Sequence, residues 1–157
     1  MKPRVLFLCP GNSCRSQMAE GFLRSIAGEQ FDVASAGTDP APVNPDAIAA
    51  MAEVGIDISA HQSKAVKEFL GQHFAYVITV CDRVSERCPI FPGAVKRLEW
   101  SLPDPVSVTG PEDVRRQAFR DVRDKIAACI REFLDREAAV ITTAADARAS
   151  EHGPRAS

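Results

Sequence analysis

The sequence lacks any excess of charge. Nineteen Lys and Arg against twenty-one Asp and Glu give a formal net charge of -2, so no global positive field exists to hold nucleic acid or an anionic membrane. It also lacks a long hydrophobic run: the apolar stretch near the start covers only residues 5–9. A bilayer crossing takes about 20 residues and a secretory core about 7–15, so we expect a soluble, cytoplasmic protein with neither a membrane nor nucleic acid as partner. An even set of cysteines is missing too. The five present (Cys9, Cys14, Cys81, Cys88, Cys129) are odd in number and follow no export signal, which disfavours a structural disulfide framework. Metal, redox or nucleophilic chemistry remains open for them, as does simple burial.

At 157 residues and 17.0 kDa, with 45% hydrophobic residues, the chain suits one domain. Residues 2–8 end in Val5-Leu6-Phe7-Leu8, apolar on both faces and closed by Pro10-Gly11, as expected of a central strand covered on both sides. Met18, Phe22, Leu23 and Ile26 then recur at helical spacing up to Gly28. Residues 31–36 alternate as a second strand, and Asn44-Pro45-Asp46 opens a helix that stops at Gly55. Ser63 is placed to cap a further helix carrying Val66, Phe69 and Leu70. Residues 76–80 give the strongest strand signal and 95–100 a weaker one. Phe119, Val122, Ile126, Cys129 and Phe133 repeat along the longest helix, opened near Pro111, and place Cys129 in the core.

This alternation predicts an α/β fold, a four-stranded parallel sheet with helices on both faces, whose ligands bind where the strands end. Residues 1–137 are expected to form a single domain, catalytic if the chemistry below holds. Residues 138–157 lose the periodicity and are expected to form a flexible tail.

Between the first strand and the first helix runs Cys9-Pro10-Gly11-Asn12-Ser13-Cys14-Arg15-Ser16. A Gly-containing loop that opens a helix converges its backbone N–H groups on one point, and Arg15 adds a planar donor fork, so residues Gly11, Asn12, Ser13, Cys14, Arg15 and Ser16 read as a cradle for a tetrahedral oxyanion. The same field favours the reactive, anionic form of Cys9 at its edge, and Ser16 is placed to donate to that sulfur. A nucleotide P-loop would need a lysine that does not follow Gly11 at the required spacing. Attack by Cys9 needs an acid for the departing oxygen. Asp104, held between Pro103 and Pro105 after the fourth strand, is the candidate.

Cys81 ends the third strand and so emerges at the same sheet edge as Cys9, while Cys88 follows in a polar segment ending at Pro89. No histidine lies within ten residues of Cys88, which leaves a zinc site short of ligands. His61 reads as an element-entry residue rather than a catalyst.

Cys9, Arg15 and Ser16 with Asp104-Pro105 resemble the signature of the low-molecular-weight tyrosine phosphatase superfamily across roughly residues 3–136, and residues 11–21 are most similar to its thioredoxin-coupled arsenate reductases. The resemblance implies catalytic roles for Cys9, Arg15 and Asp104, with Cys81 and Cys88 as second and third redox cysteines. Arsenate, or a phosphate-like oxyanion, is the implied substrate, thioredoxin the reductant, and no metal or organic cofactor takes part. It also implies a protective disulfide role for Cys14. The rival reading is a phosphotyrosine phosphatase using the same three residues. Here, however, Val106-Ser107 follows Asp104-Pro105 where those phosphatases carry a tyrosine, and the chain holds one tyrosine in all. A third class is an oxyanion sensor that performs no chemistry. Some reductases of this type bind potassium through an Asn, a Glu, a Ser and an Asp; Asn12, Glu20 and Ser35 match, and Lys64 stands at the Asp position.

Overall fold

The computed structural model describes residues 2–82 and 91–152, with side chains described to residue 137. Strands β1 (Arg4–Leu8), β2 (Asp32–Ala36), β3 (Phe74–Thr79) and β4 (Ala94–Glu99) alternate with helices α1 (Arg15–Ala27), α2 (Pro45–Ala52) and α3 (Glu112–His152). All pairings are parallel, in the order β2-β1-β3-β4. The chain therefore leaves β1 for one side of the sheet and returns through β3 on the other, which opens a crevice at the carboxyl end of β1.

Residues 5–8 of β1 are buried on both faces. Val5 and Phe7 pack into a core shared with Met18 and Phe22 of α1, Met51 of α2, and Ile126 and Phe133 of α3. Leu6 and Leu8 point the other way, toward Phe74, Val77 and Phe91, where the short 3-10 helix Val66–Phe69 contributes cover. Each such buried side chain contributes about 1.5–3 kcal/mol, enough to anchor the polar loop that follows. Both faces are covered as the sequence predicts, but unequally: among the described residues the three α-helices share one face.

The register aligns the strand ends. Leu8 lies opposite Ala36 and Thr79, and Thr79 opposite Glu99. Whatever follows these four residues meets at one edge.

Three local expectations need correction. The segment after Ser63 is the 3-10 helix, capped by Ala65, and the Ser63 hydroxyl is used elsewhere. Cys129 is half-buried at the margin of the core rather than inside it. The longest helix runs past the last apolar repeat, at Phe133, to His152, so residues 138–152 are helical. Alanines at 138, 139, 144, 145, 147 and 149 explain that extension, since they favour helix without forming an apolar stripe.

Candidate active site

The loop after β1 is fixed by its carbonyl groups. Pro10 O accepts from Asp39 N (2.9 Å), Gly11 O from Ala41 N (2.9 Å), Ser13 O from Asn44 N (2.8 Å) and Cys14 O from Met18 N (2.8 Å). Asn12 O takes Gln17 Nε2 (3.1 Å) and Ser63 Oγ (2.9 Å). Because a trans peptide sets its C=O and the next N–H in opposite directions, turning these carbonyls outward turns the N–H groups of residues 11–15 to the inner side of the loop. That is the geometry of an oxyanion cradle.

Two backbone features permit the loop. Asn12 adopts φ 46°, a left-handed conformation that asparagine tolerates better than most residues. Gly37, just past β2, lies so close that a Cβ there would stand 2.5 Å from Pro10 O and 2.7 Å from Cys9 O. No other residue fits without moving the loop.

Cys9 is buried, and its Sγ lies 2.9 Å from Ser16 Oγ. Cys14 carries the second buried free thiol of the loop, pushed up to about 12 by its burial and, next, by the neighbouring Cys9. Cys14 therefore stays a thiol at neutral pH. Arg15 is buried as well; its NH1 donates to Leu102 O (3.1 Å) and its NH2 lies 3.9 Å from Asp104 Oδ2. Asp104 caps the 3-10 helix Pro105–Ser107, accepting from Val106 N (3.0 Å), and stays partly exposed.

Cys81 is buried two residues beyond β3 and disulfide-bonded, while Cys9, Cys14 and Cys129 carry free thiols. Its carbonyl accepts from Leu102 N (3.3 Å), so the same residue that holds Arg15 also holds Cys81. The fold thus brings Cys9, Gly11, Asn12, Ser13, Cys14, Arg15, Ser16, Cys81 and Asp104 to one sheet edge. Cys88 lies outside the described residues.

Behind the cradle stands a polar network that sequence reasoning saw only in part. Asn12 Nδ2 donates to Ser16 Oγ (2.8 Å) and Ser35 Oγ (2.9 Å), and Ser35 donates to Glu20 Oε1 (2.9 Å). Arg24 (2.9 Å), His61 (3.1 Å) and Lys64 (3.7 Å) surround the Glu20 carboxylate. Gln17, His61 and Ser63 were missed as site residues. The available signal was the polar run Ser16, Glu20, Arg24, spaced by four on one face of the first helix in line with Asn12 of the loop before it. These residues do not fit a potassium ion. Lys64 Nζ places the chain's own positive charge beside Glu20 and also donates to Gln62 O (2.8 Å).

Residues 4–144 match the model of the low molecular weight phosphotyrosine protein phosphatase family. The chain belongs to that family. It is 42% identical to the arsenate reductase of Shouchella clausii over 134 residues, 85% of this chain and 96% of that one. Of solved structures, an arsenate reductase in the phosphate binding state superposes with a TM-score of 0.71 at 33% identity, covering 87% of this chain and 98% of the other. The thioredoxin-dependent arsenate reductase of Corynebacterium glutamicum does so with a TM-score of 0.62 at 28% identity, covering 85% of this chain and 61% of its own.

Proposed function

We propose that this protein reduces arsenate to arsenite through a three-cysteine relay and is regenerated by thioredoxin. The Cys9 thiolate attacks arsenic in the cradle, Arg15 balances the oxyanion charge, and Asp104 protonates the oxygen that leaves as water, giving a Cys9–arsenic(V) adduct. Cys81 then attacks Cys9 Sγ. The sulfur–arsenic bond breaks with its electron pair going to arsenic, so arsenite departs and a Cys9–Cys81 disulfide remains. Cys88 attacks Cys81 in turn, which frees Cys9 and leaves Cys81 joined to Cys88 for a dithiol reductant. Two electrons pass from two thiols to arsenic, and the reductant returns them.

The observation that carries this reading is Cys81, buried at the cradle's edge, disulfide-bonded, and tied through Leu102 to Arg15. Hydrolysis of a phosphate ester needs Cys9, Arg15 and Asp104 but no such cysteine. The likeness to arsenate reductases over most of the chain supports the substrate, and the thioredoxin-dependent relative supports the reductant.

The test is arsenate-dependent NADPH oxidation with thioredoxin and thioredoxin reductase. Sustained oxidation is expected. Its absence in a preparation that hydrolyses aryl phosphates would replace this reading with the phosphatase one.

A further inference from the structure

The loop that carries Asp104 is confined by its own sequence. Asp104 stands between Pro103 and Pro105, and a residue before proline is kept out of the helical region, so its backbone is extended, with φ -81° and ψ 111°. Just upstream, Leu102 is tied on both sides: its N–H donates to Cys81 O (3.3 Å) and its carbonyl accepts from Arg15 NH1 (3.1 Å). The backbone thus delivers Asp104 to the cradle. The direction of its carboxyl group is set by the residues that follow.

Of the two carboxyl oxygens, Oδ1 accepts from Val106 N (3.0 Å) and Oδ2 lies toward Arg15, 3.9 Å from NH2. An oxygen that already accepts an N–H keeps its lone pairs for that bond, so the transferable proton belongs on Oδ2, the oxygen that faces the cradle. That division lasts only while Val106 N–H stays aimed at Oδ1. Val106 belongs to the three-residue turn Pro105–Ser107, too short to hold itself. Its two backbone bonds, Ser107 N to Asp104 O and Val108 N to Pro105 O, are both 3.2 Å, the long end of the range for N–H donors. The shortest hydrogen bond of the turn comes from a side chain: Ser107 Oγ lies 2.7 Å from Asp104 O, a carbonyl, so the hydroxyl donates.

We infer that Ser107 is a positioning residue for the acid: its hydroxyl closes the turn on the Asp104 carbonyl, the closed turn aims Val106 N–H at Oδ1, and Oδ2 is left to hand its proton to the departing oxygen. The inference rests on Asp104 being that acid. Ser107 itself is exposed, so replacing it should cost the fold little.

A double-mutant cycle tests this, because a group that acts through Asp104 has nothing to act on once Asp104 is replaced. The readout is kcat/KM, which covers the step in which the oxygen leaves, for arsenate in the thioredoxin-coupled assay and for phenyl phosphate and p-nitrophenyl phosphate. Phenolate is a poor leaving group and needs the acid, as the oxygen lost from arsenate does; nitrophenolate is a good one and needs it little. Ser107→Ala should lower kcat/KM about fivefold for arsenate and phenyl phosphate, the worth of one hydrogen bond, and less than about twofold for p-nitrophenyl phosphate. Ser107→Thr, which keeps the hydroxyl, should match the unmodified protein. In an Asp104→Asn background, Ser107→Ala should have no further effect.

The same loss in the Asp104→Asn background would overturn the inference. So would unchanged rates in Ser107→Ala, or equal slowing of both aryl esters, since a loosened site slows every substrate alike. An Asp104→Asn variant that slows the two esters equally would remove Asp104 as the acid and the inference with it. Absence of arsenate turnover in the unmodified protein would remove the reductase reading instead, and the two esters would still decide the role of Ser107.

Discussion

Glu20 and Glu53 each sit against two arginine or lysine side chains, yet they serve different ends. Glu20 has a side chain 4% exposed and is ringed by Arg24, His61 and Lys64. Glu53, 42% exposed, takes Arg120 at 2.7 Å and Arg123 at 2.8 Å and so ties α2 to α3. The first network continues inward through Ser35, Asn12 and Ser16 to the sulfur of Cys9; the second reaches in only as far as the buried Arg123, which donates to Ala50 O (2.9 Å). A buried charge left without its partners costs several kcal/mol, whereas a solvated pair is worth about 0–1 kcal/mol. Comparable geometry thus has unequal consequences, and burial decides which network can govern chemistry.

The largest effect expected from breaking this picture lies at Cys81, which works beside the inward network. Cys81→Ser should abolish multiple-turnover arsenate reduction in the thioredoxin-coupled assay while leaving slow aryl phosphate hydrolysis near its original rate, because hydrolysis uses only the cradle, Cys9 and Asp104. Equal loss of both activities would make Cys81 a structural residue.

Next comes Asp104, partly exposed and outside both networks. Asp104→Asn keeps an oxygen for Val106 N, so the melting temperature should hold. The rate constant kcat should fall by about 10²–10⁴-fold, the usual worth of a positioned acid. A large loss of melting temperature would show that the carboxylate acts in folding instead.

Third is Glu20→Gln, which leaves Arg24 and Lys64 facing a neutral amide and lets Ser35 lose its acceptor of fixed polarity. Because Arg24 and Lys64 are partly exposed and can be solvated, the cost is that of a perturbed buried acceptor, about 1–3 kcal/mol, to be read from urea unfolding. Glu53→Gln in parallel should cost far less. Equal costs would erase the contrast drawn above.

How much of this could be read from the sequence follows the same division. The cradle was legible because residues 9–16 are contiguous and their chemistry is local. Asp104 was legible because prolines flank it, and the four strands because β-branched and apolar runs ended at turn residues. The network behind the cradle was not. Gln17 meets His61 across 44 residues and Asn12 meets Ser63 across 51, contacts that exist only once β2 has delivered Gly37 against the loop. Ser63 illustrates the failure well: a serine before an apolar pattern reads as a helix cap that accepts from backbone N–H groups, but the fold brings Asn12 O to its hydroxyl, which donates there, and the 3-10 helix begins only after Ala65. The length of α3 was hidden for another reason, since alanine favours helix while leaving no periodic mark.

The smallest expected effect belongs to Glu53, and its sign can be worked out. Hydrogen bonds from Arg120, then from Arg123, hold its carboxyl down to about 2 from an ordinary 4.5. A carboxyl with a lowered value in the folded state binds protons less readily there than in the unfolded chain, so it adds stability at every pH above about 4.5. That contribution fades as the pH drops below about 4.5 and is gone once the pH passes about 2. Because the group is exposed and screened, the whole effect is small and should weaken further in high salt. The melting temperature of Glu53→Gln should therefore lie slightly below that of the unmodified protein at neutral pH, by an amount that shrinks steadily on acidification and with added salt. Thermal unfolding followed by circular dichroism from pH 7 down to pH 3, at two ionic strengths, measures it. A gap that widens in acid, or one insensitive to salt, would mean that Glu53 behaves as a buried ion pair and that the surface network is built like the one behind Cys9.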